Sequence, residues 1–133
     1  MHYYYHIILI CYPTKGRIIY MGNLHDFVID TITSEIFLGK YQPGERIPSI
    51  REWSHQLGVS VNTVHKAIKY LCDKGIILKG KNSYQVTNRS MDIEEYRLKI
   101  SKIAINRFLD RMKRMGVGEK EIIYILEQTI KRK

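Results

Sequence analysis

Between Ser49 and Leu71 two helix-forming stretches are separated by a single glycine, and that spacing limits the fold more than any other part of the chain. Ser49 is a capping residue for the helix Ile50-Arg-Glu-Trp-Ser-His-Gln-Leu57, with Trp53 and Leu57 facing inward. Gly58 supplies a position where positive φ is free of steric cost, so a second helix can leave at a steep angle. Ser60 caps that second helix. Its residues Val64, Ala67, Ile68 and Leu71 recur at helical spacing and form one apolar face. Two helices joined this tightly share a core, which leaves the polar side of the second helix outside.

The flanks fit the same unit. Asp26 to Leu38 reads as an amphipathic helix with Val28, Ile29, Ile32 and Ile36 inward and Asp30, Thr33 and Glu35 on the other side. Gly39 stops it, and Pro43-Gly44 makes a turn. The helix begun at Ser60 is expected to run to about Lys74 and to end at Gly75. Ile76–Lys79 and Tyr84–Thr87 read as short strands joined by the basic turn Gly80-Lys-Asn-Ser. Three helices followed by a hairpin is the order of a winged helix.

Beyond it, residues 92–115 contain neither Gly nor Pro and read as one long helix. Its broad apolar face holds Ile93, Tyr96, Ile100, Ile103, Ala104, Phe108 and Met112, with a second stripe of Leu98, Ile105 and Leu109 beside it. Gly116-Val-Gly118 breaks it, and Glu119–Ile130 forms a last helix with Ile122, Ile123, Leu126 and Ile130 inward. The expected fold class is mainly α, formally α+β. A winged helix-turn-helix domain spans residues 22–90 and a two-helix C-terminal region spans 91–133. A helix with two apolar stripes can pack on its own domain with one and on a copy of itself with the other. The residues expected at such a dimer contact are Tyr96, Ile100, Ile103, Phe108, Leu109, Met112, Ile123 and Leu126.

Residues 1–21 have a different character. Tyr3 to Tyr12 is aromatic and β-branched, Pro13-Thr-Lys-Gly has turn chemistry, and Arg17-Ile-Ile-Tyr follows, so this extension reads as a β-hairpin. Met21 offers an alternative start to the helical part. The segment lacks a basic start and a small-residue cleavage site, so it does not read as a secretory leader. Its apolar run, Ile7 to Tyr12, is too short to span a bilayer and has no basic amphipathic face. We therefore expect a cytoplasmic protein without membrane attachment.

Of 133 residues, 22 are Lys or Arg against 13 Asp or Glu, a net charge of +9 that favours a polyanionic partner. Cys11 and Cys72 are far apart and form no CxxC, so reduced thiols are expected. His2, His6, His25, His55 and His65 form no ligand cluster, and no metal or other cofactor is expected. Neither a phosphate-binding loop, nor a nucleophile elbow, nor a useful Cys/His pair is present, which argues against an enzyme.

The outward side of the second helix has the chemistry of a base-reading surface. B-DNA's major groove accepts one α-helix, and its bases are read by side chains near that helix's start. Asn62 can make a paired hydrogen bond to adenine, Val61 can touch a thymine methyl, and Ser60 and Thr63 suit phosphate or base contacts. His65 and Lys66 add donors on the same face. Ser49 and Arg51 stand at the start of the preceding helix, and Lys79, Gly80 and Lys81 form the wing tip. Lys69, Tyr70 and His55 are read as ordinary solvated surface.

At these positions the chain resembles the GntR family of bacterial transcription regulators. The resemblance is carried by Pro43-Gly-Glu-Arg46-Ile-Pro48-Ser49-Ile-Arg51-Glu-Trp53, then Leu57-Gly-Val-Ser60, Thr63-Val64, Ala67-Ile68, Leu71 and Gly75-Ile-Ile. It implies DNA contacts from Arg51, Ser60, Val61, Asn62, Thr63, His65 and the wing near Gly80. Val61 and His65 stand where the family favours arginine, which implies a less GC-directed operator. The wing reads Gly80-Lys-Asn-Ser-Tyr-Gln in place of the family's second glycine. The tail, from Phe108 through Gly116-Val-Gly118 to Ile123, resembles the short two-helix C-terminus of the YtrA-like branch, which dimerises through it.

The resulting expectation is a sequence-specific transcription regulator of the repressor type. It binds double-stranded DNA at an inverted repeat as a homodimer joined by its C-terminal helices, and its effector is left open. Two alternatives share the same surface: a plasmid or phage replication or partition protein that binds DNA, and a winged-helix module that binds protein.

Overall fold

The computed structural model describes residues 13–14, 17–18 and 23–132. Its elements are β1 (Pro13–Thr14), β2 (Arg17–Ile18), α1 (Leu24–Phe37), α2 (Ile50–Leu57), α3 (Val61–Asp73), β3 (Ile77–Lys79), β4 (Tyr84–Val86), α4 (Ser90–Arg114) and α5 (Glu119–Lys131). The chain divides into two compact units, residues 1–94 and 95–133. The described part is mostly helical with small antiparallel sheets, the composition of a winged helix followed by a helical tail.

In the first unit, β1 and β2 pair antiparallel with Pro13 opposite Ile18 and Thr14 opposite Arg17. Two of the four residues expected to form the turn are thus in strands, leaving residues 15 and 16 between them. The expected strand from Tyr3 to Tyr12, with His2, His6 and Cys11, lies outside the described residues.

Helix α1 starts two residues before the expected Asp26, because Asn23 caps it by accepting a hydrogen bond from the His25 N–H. Val28, Ile29, Ile32 and Ile36 are buried as their spacing predicts. Thr33, expected on the polar side, is buried as well. Its hydroxyl donates to the Ile29 carbonyl at 2.8 Å, so the helix itself satisfies the group and burial carries little cost. Thr31 does the same with the Phe27 carbonyl. Threonine can thus enter a buried face that a hydropathy pattern assigns to solvent.

Helix α2 has a complete capping box. Ser49 Oγ accepts from the Glu52 N–H at 3.1 Å, and Glu52 Oε2 accepts from the Ser49 N–H at 3.2 Å. The helix ends at Gly58, with φ 65° and ψ 31°, a left-handed position that a side chain would strain. The Ser54 hydroxyl donates across this turn to the Val59 carbonyl, holding α2 and α3 at their junction.

The core of the unit is formed by Val28, Ile32, Trp53, Val64, Ala67, Ile68, Leu71, Ile76, Ile77 and Val86, each almost fully removed from water. Ile47, in the extended stretch before α2, is buried with them. That stretch lies along the wing hairpin. Arg46 bridges Gln85 antiparallel, the Ile47 N–H donates to the Tyr84 carbonyl at 3.0 Å, and the Val86 N–H donates to the Glu45 carbonyl at 2.9 Å. In β3 and β4, Ile77 faces Val86 and Lys79 faces Tyr84. The wing is therefore edged by the loop that precedes the helix pair.

In the second unit, residues 95–114 continue α4, and α5 follows after Gly116, whose φ is 75°. Gly118 occupies the N-cap of α5 without a side-chain hydrogen bond. On α5 only Ile122 is buried, whereas Ile123, Leu126 and Ile130, all expected inward, are exposed. Two helices in 39 residues offer too little surface to cover every apolar side chain of the pair.

Candidate nucleic-acid interface

The surface begins with the phase of α3. With Val64, Ala67, Ile68 and Leu71 committed to the core, Val61, Asn62, His65, Lys66, Lys69 and Tyr70 are exposed. Val61 is the first residue of the helix and keeps 49% of its surface open to solvent. About half of this residue is therefore open to a partner outside its own domain.

The capping geometry decides what the first turn can offer. Ser60 Oγ accepts from the Thr63 N–H at 3.1 Å and lies 2.8 Å from Thr63 Oγ1. One hydroxyl proton is used between the two side chains, so only one O–H of the pair remains to donate outward. Ser60 and Thr63 thus serve first to start and stiffen the helix. Asn62 keeps its whole amide free for hydrogen bonding, with no partner among the described residues.

On α2, Arg51 is exposed in the first turn and Ser49 is half-buried at the cap. On the wing, Lys79 and Lys81 are exposed on either side of the half-buried Gly80. Ser49 and these three wing residues line one open cavity, together with Arg46, Ile47, Asn82, Ser83 and Tyr84. The structure thus brings the cap of α2 to the wing. The residues on α3 form a separate patch on the helix face.

Arg46 belongs to the quoted motif but not to the contacts expected from it. Its position follows from the backbone pairing of Arg46 with Gln85, a contact between segments far apart in the chain.

The surface carries more cations than carboxylates, with Glu45 and Glu52 as the exposed acids beside Arg46 and Arg51. Among the described residues none of Arg46, Arg51, Lys66, Lys69, Lys79 or Lys81 is in an ion pair; the described pairs are His25–Asp26, Lys40–Glu35 and Arg89–Asp92. Unpaired cations on one side of a small domain attract a polyanion. Tyr70, read as plain surface, meets the His25 ring edge-on with centroids 6.1 Å apart, and Lys74 lies over its face. The His25 contact ties α3 to α1, and the Lys74 contact lies within the last turn of α3.

The titration shifts lie elsewhere. Burial pushes the Cys72 thiol up, Asp73 adds to this and Lys79 opposes it, which leaves a weakly nucleophilic sulfur. Burial, the Glu35 charge and a hydrogen bond to Glu35 push the Tyr41 phenol up to about 12. Among the described residues no three His, Cys, Asp or Glu side chains are gathered as a metal site would need. No described helix is long and apolar enough to cross a membrane.

Of the residues expected at a dimer contact, Ile103, Phe108, Ile123 and Leu126 are exposed, and Tyr96, Ile100, Leu109 and Met112 are half-buried. Leu98, Ile105, Met115, Tyr124, Ile125 and Ile130 are also exposed in the same unit.

Known proteins resemble the chain in sequence and in fold. The family model described as bacterial regulatory proteins, gntR family, matches residues 24–83. The chain is 22% identical over 98 residues to the uncharacterized HTH-type transcriptional regulator YhcF of Bacillus subtilis (strain 168), covering 72% of this chain and 80% of that protein. It is 26% identical over 101 residues to the HTH-type transcriptional repressor NagR of the same organism, covering 74% of this chain but only 39% of that protein. A GntR family transcriptional regulator from Listeria monocytogenes has the same fold, with a TM-score of 0.75 and 24% identity over 81% of this chain and 96% of that one.

Proposed function

The chain belongs to the GntR family and is a DNA-binding transcription regulator, and from that premise we propose that it is a repressor that binds an inverted-repeat operator as a homodimer. The observation that carries the dimer is the open apolar face of residues 95–132. Ile103, Phe108, Ile123, Leu126 and Ile130 are exposed on two helices that, among the described residues beyond Glu94, bury only Ile122. A second copy is the partner always available to such a face, and a two-fold axis sets the same patch against itself. We place the chain in the YtrA-like branch on the residues of this tail.

Two-fold symmetry in the protein is mirrored in its site. Two copies of α3 then enter successive major grooves about one helical turn apart, some 34–36 Å. Val61, Asn62, His65 and Lys66 face the bases; Ser49, Arg51, Ser60, Thr63, Lys79, Gly80 and Lys81 hold the phosphate backbone and position the helix. The repressor assignment rests on the likeness to NagR.

Selection of bound duplexes from a random pool, paired with sedimentation of the free protein, tests the proposal. The expected result is an inverted repeat bound by a dimer, with affinity that falls steeply as salt rises. Direct repeats would favour a replication or partition role. Equal affinity for every duplex, unchanged in the double variant Arg51→Ala, Asn62→Ala, would end the sequence-specific reading.

A further inference from the structure

We propose that the cavity between the Arg46 loop and the wing is a seat for one phosphate of the DNA backbone, and that Arg46 is its main anchor. The inference rests on the DNA-binding function and gives a role to Arg46, a motif residue that was not among the contacts expected from it.

The lining carries the argument. Arg46, Lys79 and Lys81 contribute three cations, and Ser49, Asn82 and Ser83 contribute neutral donors; no carboxylate is among the lining residues. None of the three cations is in an ion pair among the described residues. Like charges gathered around one small space repel each other, and the arrangement becomes favourable when an anion fills it. The carboxylates next along the chain are engaged by backbone donors: Glu45 by the Gln42 N–H and Glu52 by the Ser49 N–H in the capping box.

The frame around the cavity is stiff. The Arg46–Gln85 bridge and the Ile47 N–H to Tyr84 carbonyl bond, 3.0 Å, attach the loop to β4. On the other wall the wing turns sharply, with the Gly80 N–H donating to the Ser83 carbonyl at 2.7 Å. A Cβ on Gly80 would lie 3.2 Å from that carbonyl, so any side chain there pushes the turn open. The two walls therefore keep their spacing without a ligand, which lowers the ordering cost of binding one. A guanidinium can grip two oxygens of a phosphodiester at once, while the lysines act as point charges.

The same chemistry would accept free phosphate, so the experiment has two arms. With the selected duplex, affinity is measured against salt for the wild type, Arg46→Ala, Arg46→Gln and Arg46→Lys. A charged hydrogen bond of this kind predicts a loss on the order of tenfold per half-site for Ala and Gln, equal for specific and random duplex. The slope of log affinity against log salt should fall by about 1 per half-site, and Lys should restore most of it. Neutral methylphosphonate placed at single positions of the duplex should weaken wild type at one position per half-site and leave Arg46→Ala indifferent there. In the second arm, inorganic phosphate is titrated into the protein alone.

Unchanged affinity and slope in Arg46→Ala, with selective duplex binding intact, overturn the inference while leaving the regulator reading standing. A loss confined to particular base sequences also overturns it, since that marks base reading. Saturable binding of inorganic phosphate at Arg46 with duplex affinity unaffected overturns the assignment to DNA. A wild type that selects no duplex ends both readings.

Discussion

The two units treat apolar side chains in opposite ways. From Val28 to Ile93 the chain buries Trp53 and a set of aliphatic residues so completely that mainly polar and cationic groups, beside Val61 and Tyr70, remain on the α3 face. From residue 95 onward, aliphatic residues are as frequent, yet Ile122 alone is buried. The first unit has three helices and a hairpin around one centre, enough elements to enclose it. The second has two helices whose apolar side chains stay largely exposed. A closed core frees its surface for a polar partner, whereas an open one commits its surface to an apolar partner.

That contrast can be broken at either end. The largest expected effect is in the tail: Ile123→Asp with Leu126→Asp should give a monomer by sedimentation and weaken operator binding about 100-fold or more, because two linked half-sites become two separate events. Thermal melting of residues 24–94 should change little. If the variant stays dimeric with full affinity, the open face has another purpose. Next comes Trp53→Ala, which should cost the first unit about 3–5 kcal/mol in denaturant unfolding. A smaller loss would mean the core is less complete than its burial implies.

The remaining tests sharpen the polar side. Asn62→Ala should weaken the selected duplex by about 1–3 kcal/mol per half-site in a binding titration and leave random duplex almost unchanged. Smallest of all is the Val61 contact. Replacing a single thymine by deoxyuridine removes one methyl and should cost about 0.8 kcal/mol, roughly fourfold, at the position that meets Val61. The Val61→Ala protein should show no such difference between the two duplexes.

The sequence revealed the helix pair well because its signals are local. Ser49, Gly58 and Ser60 each act within four residues, and Trp53, Val64, Ile68 and Leu71 are set by helical phase. Thr33 was misplaced because a self-satisfied hydroxyl can be buried at small cost, which hydropathy does not record. Arg46 was missed for a different reason: its neighbours across the cavity, residues 79–84, are joined to it by backbone pairing over more than thirty positions. Ile123, Leu126 and Ile130 show a third limit. Helical spacing finds an apolar face but does not say whether the same chain covers it.

The bare N-cap at Gly118 and the uncovered side of α5 imply that this last helix gains its stability from whatever it meets. If the partner is a second copy, pairing and completion of the tail are one event, and the amount of protein in the cell becomes a signal in itself. At low occupancy, doubling that amount would raise the filled fraction of operator roughly fourfold by mass action. Synthesis and dilution alone could then switch a gene, with no small molecule needed to report the change.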